Sequence, residues 1–265
     1  MSGSAGSDMV IETGIKTSEE IKIMAEGGQI LASIIDRVVT AANPGVKTIN
    51  LDQIAEELIT VAGYTPSFKN YRENPKDKPY PASLCVSIND EIVHGIPSQY
   101  VIKKGDVVSL DLGLYYKGYH LDMARTINIG NSNKREVLLV DATFRALMAG
   151  IEEVRPGKHF GDIGYAIKKT GDDCGFAVVR ELCGHGIGHH LHEEPQILNY
   201  GRRYSGEEIK EGMVFCIEPM LTMGHSQIKR SKDGFAFVTA DGSTAAHFEH
   251  TIAVTKQGYR ILTVL

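Results

Sequence analysis

The chain has 265 residues, 28 Lys and Arg against 33 Asp and Glu, and 42% hydrophobic content, a balance that supports a large buried core and excludes wholesale disorder. A formal charge of −5 and an isoelectric point near 6.1 exclude a dedicated nucleic-acid binder, which would carry a basic surplus. No apolar run nears the roughly 20 residues that span a bilayer, and Cys85, Cys174, Cys183 and Cys216, without C-x-x-C spacing, read as reduced thiols of a cytoplasmic protein rather than a disulfide scaffold or a zinc knuckle.

The opening M-S-G-S-A-G-S-D lacks the basic flank and apolar core of a secretory signal, so residues 1–16 are expected to be a flexible tail. From Thr17 to about Ala42, Ile21, Met24, Leu31, Ile34, Ile35 and Val38 follow helical spacing, and Thr17 with Glu20 forms a capping box. The helix must end before Asn43-Pro44-Gly45, because the residue before proline avoids the helical region. A second helix is predicted from about Asn50, with Gly63 at its C-terminal end. Residues 65–82, rich in Pro, Asn, Lys and Tyr, form a loop long enough to suggest a functional role. Strands are predicted at Leu84–Ile88, Val107–Tyr116 and Tyr119–Ile129, the last two joined through Lys117-Gly118, a two-residue hairpin turn. Helices over about 133–154 and 160–172 follow, and strands at Met213–Ile217, Phe235–Val238, His247–Val254 and Tyr259–Val264 complete the chain.

The order repeats. Residues 43–64 align without a gap on 155–176, and K-G-D-V-V-S-L-D (104–111) corresponds to E-G-M-V-F-C-I-E (211–218). Two matches in the same order indicate a duplicated half, and helix–helix–hairpin halves imply an α+β fold.

Asp111 sits in S-L-D-L-G, a run otherwise suited to burial, and a buried carboxylate must be paired, protonated or on a metal. If Lys117-Gly118 is the turn, Gly113 faces Asp122, and Asp111 and Asp122 become diagonal neighbours on one sheet face, with Cβ atoms roughly 7 Å apart or less. Arg125 is a rival partner. Glu218 in F-C-I-E-P-M and Glu249 in H-F-E-H-T repeat the pattern. Each alone reads equally well as a salt bridge or an edge-strand charge; the four together favour ligation. Four of the ten histidines, His185, His189, His190 and His192, lie within eight residues. Among them His185, set between glycines that allow close backbone approach, is the best ligand candidate, with His189 and His190 expected to be structural or exposed. One imidazole with four carboxylates suits Mn, Fe, Co or Zn better than copper, magnesium or calcium, and five ligands fit two ions roughly 3.5–4 Å apart.

The motifs N-D-E-I-V-H-G-I-P (89–97), S-L-D-L-G (109–113), H-L-D-M-A-R-T (120–126), G-H-G-I-G-H-H-L-H-E-E-P (184–195), F-C-I-E-P-M (215–220) and F-E-H-T (248–251) resemble those of type I methionine aminopeptidases, within the pita-bread metallopeptidases. The resemblance covers the chain from about Thr17 onward and implies a single catalytic pita-bread domain over 17–265, with two pseudo-symmetric halves around a central antiparallel sheet. It implies two divalent ions (Co, Mn, Fe, Zn or Ni) held by Asp111, Asp122, His185, Glu218 and Glu249, with Glu249 and Asp111 bridging. By the same resemblance His94 bonds the substrate's backbone nitrogen, His192 steadies the scissile carbonyl, and Glu218 takes a proton from the attacking water. Tyr71, Tyr80, Cys85 and Phe235 are expected to line a methionine pocket, being close to these motifs. The implied reaction is attack of a metal-bound hydroxide on the first peptide bond, releasing the initiator methionine of nascent polypeptides when the next residue is small. The family further implies a cytoplasmic monomer with transient ribosome association and no nucleic-acid or membrane partner. Three features depart from the family's usual pattern: Leu191 replaces an aromatic residue, the loop at 68–82 is longer, and Phe68 and Lys69 stand where a cysteine is common. Rival readings are a proline-specific peptidase of the same fold and a binding module that kept the fold without activity.

Overall fold

The structure is a computed structural model that describes residues 15–265. Among the described residues there are four helices, in two pairs, and fifteen short strands. Helix α1 (Ser18–Ala41) starts on the expected capping box, with Thr17 accepting from the Glu20 N–H and Glu20 reaching back to Thr17. Helix α2 (Thr48–Val61) starts two residues before the expected Asn50. Strands β1 (Thr65–Pro66), β2 (Leu84–Ile88), β3 (Glu91–Val93), β4 (Val107–Tyr116) and β5 (Tyr119–Asn128) complete the first half. The second half opens with α3 (Lys134–Glu152) and α4 (Phe160–Asp173), then β6 (Ala177–Val178), β7 (Cys183–Gly186) and β8 (Glu193–Leu198). It continues through β9 (Val214–Ile217), β10 (Met220–Thr222), β11 (Ile228–Arg230), β12 (Phe237–Thr239) and β13 (Ala245–His247) to β14 (Glu249–Thr255) and β15 (Gly258–Ile261). Helices α2 and α4 are both 14 residues long and occupy matching places in the alignment of residues 43–64 on 155–176.

The sheet that carries the site runs β1–β4–β5–β14–β9–β7–β8, with β2 beside β4 and β15 beside β14. Its pairings are antiparallel, as expected for an α+β fold. The β4–β5 hairpin has the register that the two-residue turn dictates: Tyr116 opposes Tyr119 and Gly113 opposes Asp122. Lys117 and Gly118 both hold positive φ, 47° and 96°, as a turn matching the strand twist requires. On β4 the side chains alternate. Leu110, Leu112 and Leu114, each 0% exposed, join the core with Met24, Leu31 and Ile35 of α1, while Asp111 and Gly113 point to the opposite face. Burying each leucine contributes about 1.5–3 kcal/mol, so this apolar row holds the register that places Asp111. A second core packs α3 and α4 residues such as Leu147 and Ile163 on Phe215 and Ile217 of β9.

Two expectations change. Ile15 bridges to Met213, and the buried Lys16 Nζ donates to Glu193 Oε2 at 2.8 Å, so the folded body starts before Thr17; the rest of the expected tail lies outside the described residues. The strand expected at His247–Val254 is two strands, β13 and β14, broken at Phe248 where the chain leaves a three-stranded sheet for the central one.

Candidate metal centre and substrate cleft

Ala124 of β5 is the register partner of Asp111 on β4 and of Glu249 on β14. The three side chains therefore form one row across the sheet, with a small residue in the middle leaving the space between the carboxylates open. Asp122, two residues from Ala124, shares that face. Its N–H donates to Thr251 Oγ1 at 3.0 Å, and the Thr251 hydroxyl donates back to the Asp122 carbonyl at 2.8 Å, tying β5 to β14 beneath the site. Glu218 follows the last residue of β9, its carbonyl held by Asn199 Nδ2 at 3.0 Å.

His185 arrives on β7, which presses closely on β9. A Cβ on Gly184 would lie 2.2 Å from the Cys216 carbonyl oxygen, so only glycine permits this approach. Gly184→Ala is expected to cost about 1–3 kcal/mol through forced separation of the strands and to weaken metal binding by moving His185 away from Glu218. A thermal melt with and without metal, beside a chelator-competition titration, checks both; unchanged affinity would show that the close approach does not position His185.

The arrangement has the chemistry of a cation site. Donor atoms within 4.8 Å of one another form three groups, Asp111–Asp122–Glu249, His185–Cys216–Glu249 and Glu218–His247–Glu249. Glu249 belongs to all three, as a bridging carboxylate would; Asp111 belongs to one. Asp111 Oδ1 and Glu249 Oε1 are buried with no hydrogen-bond partner, a cost of about 1–3 kcal/mol or more for each such atom that a cation would remove. Burial pushes Asp111 up to about 6. Burial foremost, then the neighbouring acids, pushes Asp122 and Glu249 well above their ordinary values, and burial with Asp111 does the same to Glu218. Divalent ions would offset this repulsion and restore the charged form. His185 Nδ1 lies 2.9 Å from the Gly186 carbonyl, to which it donates, leaving Nε2 free at 3.7 Å from Glu218 Oε1, the orientation typical of a metal-bound histidine.

These groups form the floor of a cavity of about 700 Å³, and every residue expected at the site lines it: Asp111, Asp122, His185, Glu218 and Glu249 below, His94 and His192 beside them, Tyr71, Tyr80, Cys85 and Phe235 on the walls. The Tyr71 hydroxyl is 2.8 Å from His192 Nδ1, and the His192 ring stands edge-on to that of His185, 4.5 Å between centroids. His94 holds a positive φ of 60°, a conformation that is strained for a residue other than glycine and that sets its ring 5.9 Å from Phe237. Desolvation in the cleft, with His192 adding, lowers His94 to about 4, so its imidazole is neutral near pH 7. Tyr80 and Phe235 meet edge to face at 5.8 Å. His189 and His190 are exposed, and His189 bonds the Gly118 carbonyl, in line with a role away from the site.

Sequence reasoning missed three things. It named Phe68 and Leu191 only as departures, yet both line the cavity. It omitted the charged residues Arg72, Glu73, Asp77, Lys78, Arg230 and Asp233 that also line the cavity: the first four lie in the loop at 65–82, but nothing local shows that Arg230 and Asp233, about 150 residues on, join them. It also passed over His247, which opens an expected strand and is 1% exposed beside Glu218.

The sequence matches the model of metallopeptidase family M24 over residues 22–256. It is 43% identical to methionine aminopeptidase 1 of Bacillus subtilis over 248 residues, covering 94% of this chain and 98% of that one. Among solved structures, methionine aminopeptidase from Rickettsia prowazekii aligns with a TM-score of 0.90 at 39% identity over 94% of this chain and 99% of the other. An Xaa-Pro dipeptidase from Bacillus anthracis shares the fold, with a TM-score of 0.74 at 24% identity, but this chain covers only 62% of its length.

Proposed function

The chain belongs to metallopeptidase family M24, among its methionine aminopeptidases, and from that premise we propose that it removes the N-terminal methionine of nascent polypeptides when the next residue is small. The observation that carries this reading is the convergence of three donor groups on Glu249 at the floor of the cleft, beneath walls that include Tyr80, Cys85 and Phe235. Asp111, Asp122, His185, Glu218 and Glu249 would hold two divalent ions, of the Co, Mn, Fe, Zn or Ni class. When bound, such ions supply Lewis acidity that lowers the pKa of water and polarises a carbonyl.

The protein's own groups would do the rest. Glu218, at the edge of the acidic floor, takes a proton from the attacking water. With the Tyr71 hydroxyl donating to Nδ1, the His192 Nε2 carries the ring proton and donates to the scissile carbonyl oxygen as charge develops there. His94 bonds the backbone nitrogen of the substrate. The thioether of methionine packs among Tyr80, Phe235 and Phe68, where sulfur–aromatic contacts add to its burial. The four cysteines are unpaired and no helix among the described residues is long and apolar enough to cross a membrane. Unpaired thiols are at home in the reducing cytoplasm, where the chain would act as a monomer meeting nascent chains as they leave the ribosome.

A peptide panel with metal analysis tests the reading. Release of methionine from Met-Ala-Ser by the metal-loaded chain, with Xaa-Pro peptides left intact, is the expected result. Cleavage of Xaa-Pro alone would assign the chain to the proline-specific peptidases of the same fold, and inert peptides with no bound metal would make it a binding protein.

A further inference from the structure

We propose that His247 is a second imidazole ligand of the metal centre, acting with Glu218 and Glu249; this rests on the reading that the buried carboxylates hold divalent ions. The backbone places it there. His247 pairs with Met220 across β13 and β10, and His250 pairs with Ile217 across β14 and β9, so the stretch from His247 to His250 runs antiparallel to Ile217–Met220, Glu249 falls opposite Glu218, and His247 is the diagonal neighbour of Glu218. Two residues apart in extended chain, His247 and Glu249 share a face across the break at Phe248, and their donor atoms group with those of Glu218.

The side-chain geometry gives Glu218 an imidazole at each oxygen. Oε1 faces His185 Nε2 at 3.7 Å and Oε2 faces His247 Nε2 at 3.5 Å. Both separations are long for hydrogen bonds, and both suit donors sharing an ion. Nitrogen and oxygen ligands at about 2.0–2.2 Å from one ion lie roughly 3–4 Å apart. His247 is also an anomaly among the buried histidines. His250 is paired through Nδ1 with Thr263 Oγ1 at 2.9 Å, and His185 with a carbonyl, whereas neither ring nitrogen of His247 has a hydrogen-bond partner at 1% exposure. A buried imidazole without a partner needs a compensating one, and the unpartnered oxygens of Asp111 and Glu249 lie at the same centre, so one kind of occupant satisfies all of them. A second imidazole also shifts the donor set toward nitrogen, favouring Zn, Co or Ni over Mn.

X-ray absorption spectroscopy on the full chain loaded with Zn or Co, with ions per chain counted in parallel, measures imidazoles bound per chain. Two are expected in the unmodified protein and one in His247→Gln, together with a rise of at least about tenfold in the Zn dissociation constant, since even groups that only support a ligand are worth that much. A single imidazole per chain in the unmodified protein, with methionine release intact, would overturn the assignment of His247 and leave the proposed function standing. No bound metal at all would overturn both. If His247→Gln fails to fold, as judged by its circular dichroism in chelator, the count on the unmodified chain decides.

Discussion

Glu249→Gln is expected to lower kcat/KM on Met-Ala-Ser by about a thousandfold or more, while the metal-free variant melts at a higher temperature than the metal-free parent. Both effects follow from the position of Glu249 at the junction of the three donor groups. An ion lost or displaced removes several kcal/mol of transition-state stabilisation, and about 4 kcal/mol is a thousandfold. The stability effect has the opposite sign because, without cations, Glu249 is a buried acid raised well above its ordinary value of 4.5 by burial and by Glu218 and Asp111. A raised acid is protonated in the folded chain while still ionised in the unfolded one, so above about pH 4.5 the native state binds more protons and stability falls as pH rises. Glutamine cannot ionise and escapes that loss. The melting advantage of the variant in chelator is therefore small near pH 4.5 and grows toward pH 8, and added metal reverses it by stabilising the parent alone. A variant less stable than the parent in chelator at pH 8 would mark Glu249 as a structural partner instead of a cation holder.

His192→Ala is expected to lower kcat by about 10²–10³ with little change in KM or melting temperature, the size seen when one donor to a developing oxyanion is removed. The ring borders the cleft, with Tyr71 on one side and His185 on the other, so its loss leaves no large cavity in the core. Tyr71→Phe refines the prediction. Without the hydroxyl, Nδ1 loses the partner that selects the Nε2–H tautomer, and kcat should drop by less than in the alanine variant, with metal content unchanged. Equal turnover of the His192 variant and the parent would remove the residue from the reaction, and a Tyr71 effect on KM alone would make that hydroxyl a substrate contact.

Much of this site is legible in the chain because its signals are local. The Lys117-Gly118 turn sets the β4–β5 register, so counting outward from it is enough to put Asp111 and Asp122 on one face. The capping box of Thr17 and Glu20 and the helix end before Asn43-Pro44-Gly45 have the same character. His247 escapes such a reading for the converse reason. Alternation along H-F-E-H-T already puts His247 on the face of Glu249; what makes His247 notable is that neither ring nitrogen has a hydrogen-bond partner although Glu218 stands beside it, which no sequence pattern reveals. The pocket walls lie between. Motif proximity points to Tyr71, Tyr80, Cys85 and Phe235, but Tyr71 reaches His192 across 121 residues of chain, and Tyr80 is held by its bond to the Gly95 carbonyl at 2.8 Å.

The amino-acid sequence by itself determined the duplicated helix–helix–hairpin plan, the class of chemistry and the five acidic and imidazole residues expected to hold metal. All of these rest on spacing along one chain segment or on motifs a few residues long. Only the tertiary structure decided that Glu249 is the common member of the donor groups, that Ala124 leaves the space between Asp111 and Glu249 open, that the 68–82 loop supplies both an aromatic wall and part of the cavity's charged lining, and that an unpartnered imidazole stands against Glu218. Those features depend on which strands are neighbours. Strand order across a sheet is set by burial summed over the whole core, in which every pairing joins residues far apart in the chain, so it leaves no local trace to read.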